Sequence, residues 1–380
     1  MKVHVLNRCA ETNSYRAARV KAMFNCESGA TFEREFDIGA EPDGDWSIGL
    51  IVGPSGSGKT SAGRLVFPEA PFLEPGGVSW PKRAPVIDAI SPGGSFDHVT
   101  GCLSAVGLGD VPAWLRPYSA LSTGERFRAD LARVVAEAPP RVVIDEFTST
   151  VDRQIARIGA HAFARSWRRT GGRAVLLSCH YDIQEWLQPD WTLDTATGAF
   201  SGRYLQPRPP IHLDIHRTDW RHWPAFEPHH YLKIPHMIAA VCYVGSVESQ
   251  LVAHVGVATA CYGRNGFEAR ACRLAVMPEW QGAGVGTRFL DAVSQIQLEG
   301  ADGAIMPGLP LSTAFHTSHP GLCQALRRRK GWSQISARLY GQHKGRSGAS
   351  IEASGNGSRG TGYGGHFRAI QGFRYHGKGA

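Results

Sequence analysis

The segment Gly53-Pro54-Ser55-Gly56-Ser57-Gly58-Lys59-Thr60, set directly after the apolar run Leu50-Ile51-Val52, constrains this 380-residue chain more than any other stretch. A phosphate is held by backbone N–H groups turned inward around its oxygens, which needs glycine at the tight positions and a helix opening at the last of them. The spacing predicts a strand, a loop and a helix starting near Lys59 and running through Ser61–Val66. Lys59 then reaches the β/γ-phosphates of a nucleoside triphosphate and the Thr60 hydroxyl ligates Mg2+. Gly53, Ser55, Gly56, Gly58, Lys59, Thr60 and Ser61 are the candidate cradle, and ATP is the expected ligand.

Three further elements follow in order. Leu121-Ser122-Thr123-Gly124-Glu125 opens Arg126–Ala136, whose mixture of Arg, Leu, Val and Ala predicts an amphipathic helix. Arg141-Val142-Val143-Ile144-Asp145-Glu146 reads as a buried parallel strand ending in two carboxylates, one to hold a metal-bound water and one to activate a second water for attack. Ser149-Thr150-Val151-Asp152 comes next, and Ala174–Ser178 is another apolar strand, closed by Cys179-His180.

These residues resemble the ATP-binding-cassette (ABC) ATPase family. Gly53–Thr60 matches its Walker A motif, Leu121–Glu125 its signature loop, Ile144–Glu146 its Walker B motif, Ser149–Asp152 its D-loop and His180 its switch histidine. The resemblance implies that Asp145 supports the metal, Glu146 is the general base, His180 contacts the γ-phosphate, and Ser122, Gly124 and Asp152 serve nucleotide shared with another subunit. One P-loop and one signature loop then imply a head-to-tail, ATP-dependent homodimer. Two features depart from the family. No glutamine occurs between Thr60 and Ser122, so the Q-loop has no direct counterpart and Asp88 stands as a substitute candidate; and Thr123 takes a place where glycine is usual. The same interval is too short for a long coiled-coil arm.

No run of about 18 apolar residues is present, and Met1–Arg8 lacks the apolar core of a signal peptide, so a cytoplasmic protein without its own membrane segment is expected. The eight cysteines are scattered, with no C-x-x-C pair, which fits reduced thiols. Positive charge is concentrated at the C-terminal end: residues 327–380 carry eleven Lys/Arg against the single acid Glu352, in a chain whose net charge is only +8. Such a field draws a polyanion, with nucleic acid the expected partner, or serves only as a solvated tail.

Pro207-Arg208-Pro209-Pro210 reads as a linker, dividing the chain into residues 1–206 and 211–380. Beyond it, Met237–Val244 and Leu251–Cys261 predict a β-hairpin turning through Gly245–Gln250. Glu268–Val276 is a further strand, and Gln281-Gly282-Ala283-Gly284-Val285-Gly286 opens a helix over Thr287–Leu298. Glycines between strand and helix again make an anion site, here without the Lys-Ser/Thr of a nucleotide loop. The stretch Arg273–Gly286 resembles the GNAT family of N-acetyltransferases, whose Q-x-x-G-x-G loop binds the pyrophosphate of acyl-CoA. The resemblance implies that backbone groups of Leu274 and Val276 pair with the pantetheine arm, and that Gln281, Gly282, Gly284, Val285 and Gly286 hold the diphosphate of acetyl-CoA or another acyl-CoA. The expected fold is therefore α/β, a P-loop ABC-type ATPase domain followed by a mixed α+β GNAT-like domain.

Acyl transfer needs a base for the attacking amine and an acid for the departing thiolate. His319 is the candidate base, His229 and His230 are alternatives, and Tyr375 is the candidate acid on a last strand over His366–His376, after a flexible Gly/Ser-rich insert around 341–365. The whole resembles ABC–GNAT fusion proteins of phage-like genomes, distantly similar to the phage Mom DNA-modification proteins. That resemblance implies an ATP-gated transferase acting on a nucleic-acid base. Acylation of a protein or small-molecule amine, and a non-catalytic ATP-gated nucleic-acid clamp, remain the alternatives.

Overall fold

The computed structural model describes residues 2–8, 14–24, 31–37, 46–231, 240–262, 266–338 and 369–377. In chain order the first elements are β1 (Lys2–Arg8), α1 (Tyr15–Phe24), β2 (Thr31–Asp37), β3 (Ile48–Val52), α2 (Lys59–Val66) and β4 (Phe72–Leu73). Next come α3 (Val86–Ala89), α4 (Phe96–Ala105), α5 (Val111–Trp114), α6 (Thr123–Glu137), β5 (Arg141–Ile144), α7 (Arg153–Trp167), β6 (Arg173–Ser178), α8 (Gln184–Leu187), β7 (Trp191–Asp194) and β8 (Phe200–Ser201). The remainder comprises β9 (Asp214–Thr218), α9 (Trp223–Phe226), β10 (Ala240–Val247), β11 (Gln250–Tyr262), β12 (Gly266–Val276), α10 (Val285–Glu299), β13 (Thr313–Thr317), α11 (Pro320–Arg327), β14 (Trp332–Arg338) and β15 (Ile370–Tyr375).

These elements form two compact units that are not two consecutive stretches of chain. Residues 1–80 and 122–209 make the first, and residues 81–121 and 210–380 the second. The passage near residue 210 lies at the linker, but residues 81–121, which sequence order assigns to the ATPase domain, pack with the C-terminal part. A domain boundary follows where side chains find partners, and here those partners lie some two hundred residues downstream.

The first unit holds a six-stranded sheet in the order β4-β5-β6-β3-β7-β8. All its neighbours are parallel except β7 and β8. Every residue of β3 is buried, as expected of a strand covered on both faces. A separate antiparallel pair, β1 with β2, separated in sequence by α1, contributes Val3, Val5 and Phe36 to the core formed by Trp46, Ile51, Phe67, Val143 and Trp191. Because β3, β5 and β6 are adjacent and parallel, the loops leaving their C-terminal ends emerge at one edge, where open α/β sheets bind ligands.

The second unit is built on a seven-stranded sheet in the order β14-β15-β13-β12-β11-β10-β9. Strands β9 to β12 form an antiparallel meander, β12 and β13 are parallel, and β15 inserts between β13 and β14. The β10–β11 turn is only Glu248-Ser249, both at positive φ, which fits the two-residue hairpin geometry and lets both strands extend further than the sequence pattern predicts. Helix α10 buries Phe289, Leu290 and Val293, while Trp223 and Phe226 of α9 pack with Val244 and Ala275. The Gly/Ser-rich insert around 341–365, residues 366–368 of the last predicted strand, and the start of the Met237–Val244 strand lie outside the described residues. None of the helices described is long and apolar enough to cross a membrane.

Candidate functional site

At the end of β3 the chain turns through Gly53–Gly58. Gly56 and Gly58 lie at φ 76° and 92°, and Gly58 is the left-handed N-cap of α2, with no side chain capping the helix. The first-turn N–H groups are thus left to a ligand, and nothing stands within 4 Å of where a Cβ on Gly56 would be. Lys59 is buried and donates to the Pro54 carbonyl at 2.8 Å, laying its ammonium across the loop. Thr60 Oγ1 donates to Asp145 Oδ2 at 2.8 Å, and the Glu146 N–H donates to Asp145 Oδ1 at 2.8 Å. The consecutive acids occupy different surroundings: Asp145 is 6% exposed, whereas Glu146 is exposed and sits at φ 49°, a sparsely populated conformation for a non-glycine residue.

His180 follows β6, with Nδ1 3.4 Å from Thr148 Oγ1. Burial first, and the nearby Arg153 second, hold its imidazole below the ordinary range, so it is neutral at pH 7. Asp182 pairs with Arg153 and Arg157, and these hydrogen bonds outweigh burial to keep its carboxyl acidic. Ser122 is the N-cap of α6 in a reciprocal capping box with Glu125; its Oγ accepts from the Glu125 N–H at 3.4 Å, which leaves the hydroxyl proton as a donor. Asp152 departs from its expected place on nucleotide: its carboxylate caps α7 through the Ile155 N–H at 2.9 Å. Ser61 is likewise engaged elsewhere, with Asn7 of β1 at 3.0 Å. Asp88, the Q-loop substitute candidate, sits on α3 in the second unit.

Sequence reasoning missed Thr195. Fully buried just beyond β7, its Oγ1 lies 2.5 Å from Ser57 Oγ and 3.0 Å from the Val52 carbonyl, while Arg34 of β2 donates to its own carbonyl at 2.6 Å. It ties the phosphate loop to β2, β3 and β7. With 138 residues between Ser57 and Thr195, no local pattern announces the contact.

In the second unit the loop after β12 repeats the first loop's geometry. Gly282 and Gly284 lie at φ 93° and 81°, and Gly284 is the left-handed N-cap of α10 without a side-chain cap. Beside it, β12 and β13 pair only through Ala269–Ala271 and then part, β12 running on to Val276. A bulge centred on Arg273, at φ 54°, distorts β12 against β11 in the unpaired stretch.

Three expectations for this unit are corrected. The Gln281 side chain turns into the protein: its Nε2 donates to the Val276 carbonyl at 3.0 Å and its Oε1 accepts from the Gly109 N–H at 3.0 Å. His319 is the N-cap of α11, with Nδ1 accepting from the Leu322 N–H and Nε2 donating to the Gly109 carbonyl at 3.0 Å. Burial lowers its pKa, and with both nitrogens committed to a neutral ring it has none left for an attacking amine. Tyr375 is 1% exposed and donates to Gln295 Oε1 at 2.9 Å, on α10 about 15 Å along the helix from Val285. Its hydroxyl proton is thus committed to Gln295 and is not offered to a thiolate. His230 is buried against Trp223 and Tyr231. His254 is fully buried among Trp220, Trp223 and Phe226, and burial pushes its pKa down to about 4.

No family model matches the chain. Over 166 residues, covering 35% of this chain and 68% of the relative, it is 32% identical to the cytochrome c biogenesis ATP-binding export protein CcmA of Rhodospirillum rubrum. CcmA of Nitrobacter winogradskyi is 31% identical over 156 residues, covering 34% of this chain and 76% of the relative. Among solved structures, a dimeric ATP-binding cassette in a post-hydrolysis state bound to ADP and phosphate covers 50% of this chain and 94% of its own, at 12% identity and a TM-score of 0.34. At 32% identity across 68% of an ATP-binding export protein, this chain belongs to the ATP-binding-cassette ATPases.

Proposed function

We propose that this ATP-binding ATPase drives or gates an acyl-CoA-dependent N-acyltransferase, carried by its second unit, that acts on nucleic acid. In the first unit the N–H groups of Gly58–Thr60 and the Lys59 ammonium would hold the phosphates, and Thr60 and Asp145 would hold Mg2+. The hydroxyl–carboxylate pair fits a small, hard cation that takes its other ligands from phosphate and water. A cation held there would offset negative charge on the phosphates. Exposed Glu146 takes the proton of the attacking water as its oxygen bonds to the γ-phosphorus and the bond to the bridging oxygen breaks. Neutral His180 donates to the γ-phosphate, and Ser122 and Gly124 of a second copy close the site. Light scattering of a Glu146→Gln variant with ATP tests that closure: a dimer is expected, and a persistent monomer overturns it.

The transferase reading rests on one observation above all. A parallel strand pair opens beside a glycine loop that heads a long helix, within an antiparallel meander. Beyond Ala271 the gap leaves β12 without a β13 partner, its Val276 carbonyl already accepting from Gln281, and an extended pantetheine arm would lie there while the N-terminus of α10 offers N–H groups for a diphosphate. In the transfer the amine nitrogen bonds to the acyl carbon, the carbon–sulfur bond breaks, and the amine's proton leaves as the thiolate gains one. Nucleic acid as acceptor is supported by exposed Arg328 and Arg338 near the C-terminal end, together with half-exposed Arg270 on β12. Mass spectrometry of nucleosides from DNA and RNA of cells expressing the protein, compared with a Gly284→Glu variant, tests the reading. A new acylated nucleoside is expected with the wild type alone. Unchanged nucleosides with acylation of a free amine would replace nucleic acid by a small-molecule or protein acceptor, and no acylation at all would leave a nucleic-acid clamp.

A further inference from the structure

Alternation along the strands of the second unit sets two different surfaces back to back. Tyr375 of β15 reaches Gln295 of α10 and Phe373 is fully buried, so Arg374 and Gly372 point to the other side of the sheet. Register carries that side across the neighbouring strands. Arg374 and Arg270 flank Ala314, Gly372 lies between His316 and Ser336, and Arg338 pairs with Ile370. Arg270, Arg374, His316, Ser336 and Arg338 therefore share the face that α10 does not cover.

The charges on this face are braced. Buried Glu268, on the same side of β12, accepts from Arg270 Nη2 at 3.1 Å through Oε1 and from Arg374 Nη2 at 2.8 Å through Oε2, while the Arg270 side chain stays 46% exposed and Arg338 is exposed. His316 and Ser336 lean over Gly372, so that a Cβ there would overlap both. Partial burial first and Arg270 next hold the His316 imidazole below its ordinary range against the pull of Glu268, and Arg338 and Arg374 add to the effect, so the net field at this spot is positive. Across the sheet Arg270 and Arg338 stand three strand spacings apart, about 14 Å, a span longer than one phosphate group. His316 is the first residue of β13 beyond its last pair with β12, which puts it at the mouth of the strand gap.

We propose that this face of β12, β13, β15 and β14 is the docking surface for a single strand of nucleic acid, with Arg270, Arg374 and Arg338 on its phosphates, the His316 ring beneath a base, and Glu268 as the positioning residue. Guanidinium forks match phosphate oxygens, and an array longer than one phosphate suits a repeating phosphodiester. A flat sheet face takes unpaired bases by stacking, and a base has to leave the duplex before chemistry can reach it. A strand lying here passes the gap in which the acyl group would be presented. This inference rests on the second unit acting on nucleic acid.

Fluorescence anisotropy on the full chain tests it, with a labelled single-stranded oligonucleotide and its duplex titrated over a series of salt concentrations. The single strand is expected to bind more tightly than the duplex, with a slope of log Kd against log salt that falls by about 0.7 in each of Arg270→Gln and Arg338→Gln, one phosphate contact apiece. Lys330→Gln removes the same charge from the turn beside Arg329, whose partner Asp291 lies on α10, and should leave the slope unchanged. Glu268→Gln should weaken the single strand roughly three-fold although the chain gains positive charge, because two guanidiniums lose the carboxylate that aims them. Tighter binding by that variant overturns Glu268 as the positioning residue. No binding of either form by the wild type overturns nucleic acid as the acceptor and this inference with it. Binding that both arginine variants leave unchanged, or that Lys330→Gln weakens equally, overturns this face alone. Preference for the duplex overturns the single strand, and displacement by polyglutamate as readily as by unlabelled strand overturns nucleic acid as the occupant.

Discussion

The two glycine loops share a backbone and differ in everything around it. Gly56 and Gly58 at φ 76° and 92° are matched by Gly282 and Gly284 at 93° and 81°, and in each pair the second glycine caps a helix in the left-handed conformation. In the first unit, however, the loop ends in a lysine and a threonine facing a buried carboxylate, at the edge of a parallel sheet. In the second it ends in Val285-Gly286 beside a gap between strands, with no cation and no carboxylate from the loop itself. A nest of N–H groups recognises a diphosphate of any kind. The neighbours decide whether the anion is positioned for cleavage or only anchored while chemistry proceeds elsewhere.

The sharpest way to break this contrast is to disable each loop separately. Glu146→Gln is expected to lower the ATP turnover number by a factor on the order of 100 to 10,000 while coenzyme A affinity, read by calorimetry, stays unchanged. Gly284→Glu sets a carboxylate at the second loop, in a backbone conformation that suits glycine alone. Coenzyme A affinity should fall by roughly 100-fold or more, with nucleotide affinity in the absence of coenzyme A preserved. Loss of both functions in either variant would show that the loops are not separable sites.

Acidity distinguishes the units next. Buried His254 has a pKa of about 4 in the folded chain, below its ordinary value near 6.5. Between those values the unfolded chain binds a proton that the folded chain refuses, so stability falls as pH drops through that window. A loss of roughly 3 kcal/mol from pH 7 to pH 4 is expected at this position, and denaturant unfolding followed by tryptophan fluorescence should show it flattened in His254→Leu. Thr195→Val keeps the shape of a buried side chain and removes its hydroxyl from Ser57. It should cost about 1–2 kcal/mol of first-unit stability and raise KM for ATP more than it lowers kcat, with Thr195→Ser restoring both. Smallest of all, Tyr375→Phe removes one buried hydrogen bond to Gln295, for about 1 kcal/mol, and should leave any transfer rate intact. A rate falling by roughly 100-fold would reinstate Tyr375 as the acid.

What the sequence revealed, it revealed through short-range chemistry. The strand before each loop, the glycines and the helix after lie within about a dozen residues, and their conformations follow from which backbone shapes glycine alone adopts. The carboxylate pair and His180 were legible for the same reason, as strand ends. The misplaced residues were misread because their chemistry is long-range: His319 has the right chemistry for a base, but its bond to Gly109 spans 210 residues, and that from Gly109 to Gln281 spans 172. Tyr375 is placed on its strand by pattern, but its burial under α10 is a matter of packing.

By itself the sequence determined that two glycine turns each head a helix and that the first is followed by a lysine and a threonine while the second is not, because φ, residue type and spacing are local properties. Only the tertiary structure decided that residues 81–121 leave the first unit for the second, and that Gly109 bridges the ends of two parting strands. Segment placement depends on which distant surfaces bury apolar area and satisfy backbone polar groups together, a property of the whole chain that no window of it contains.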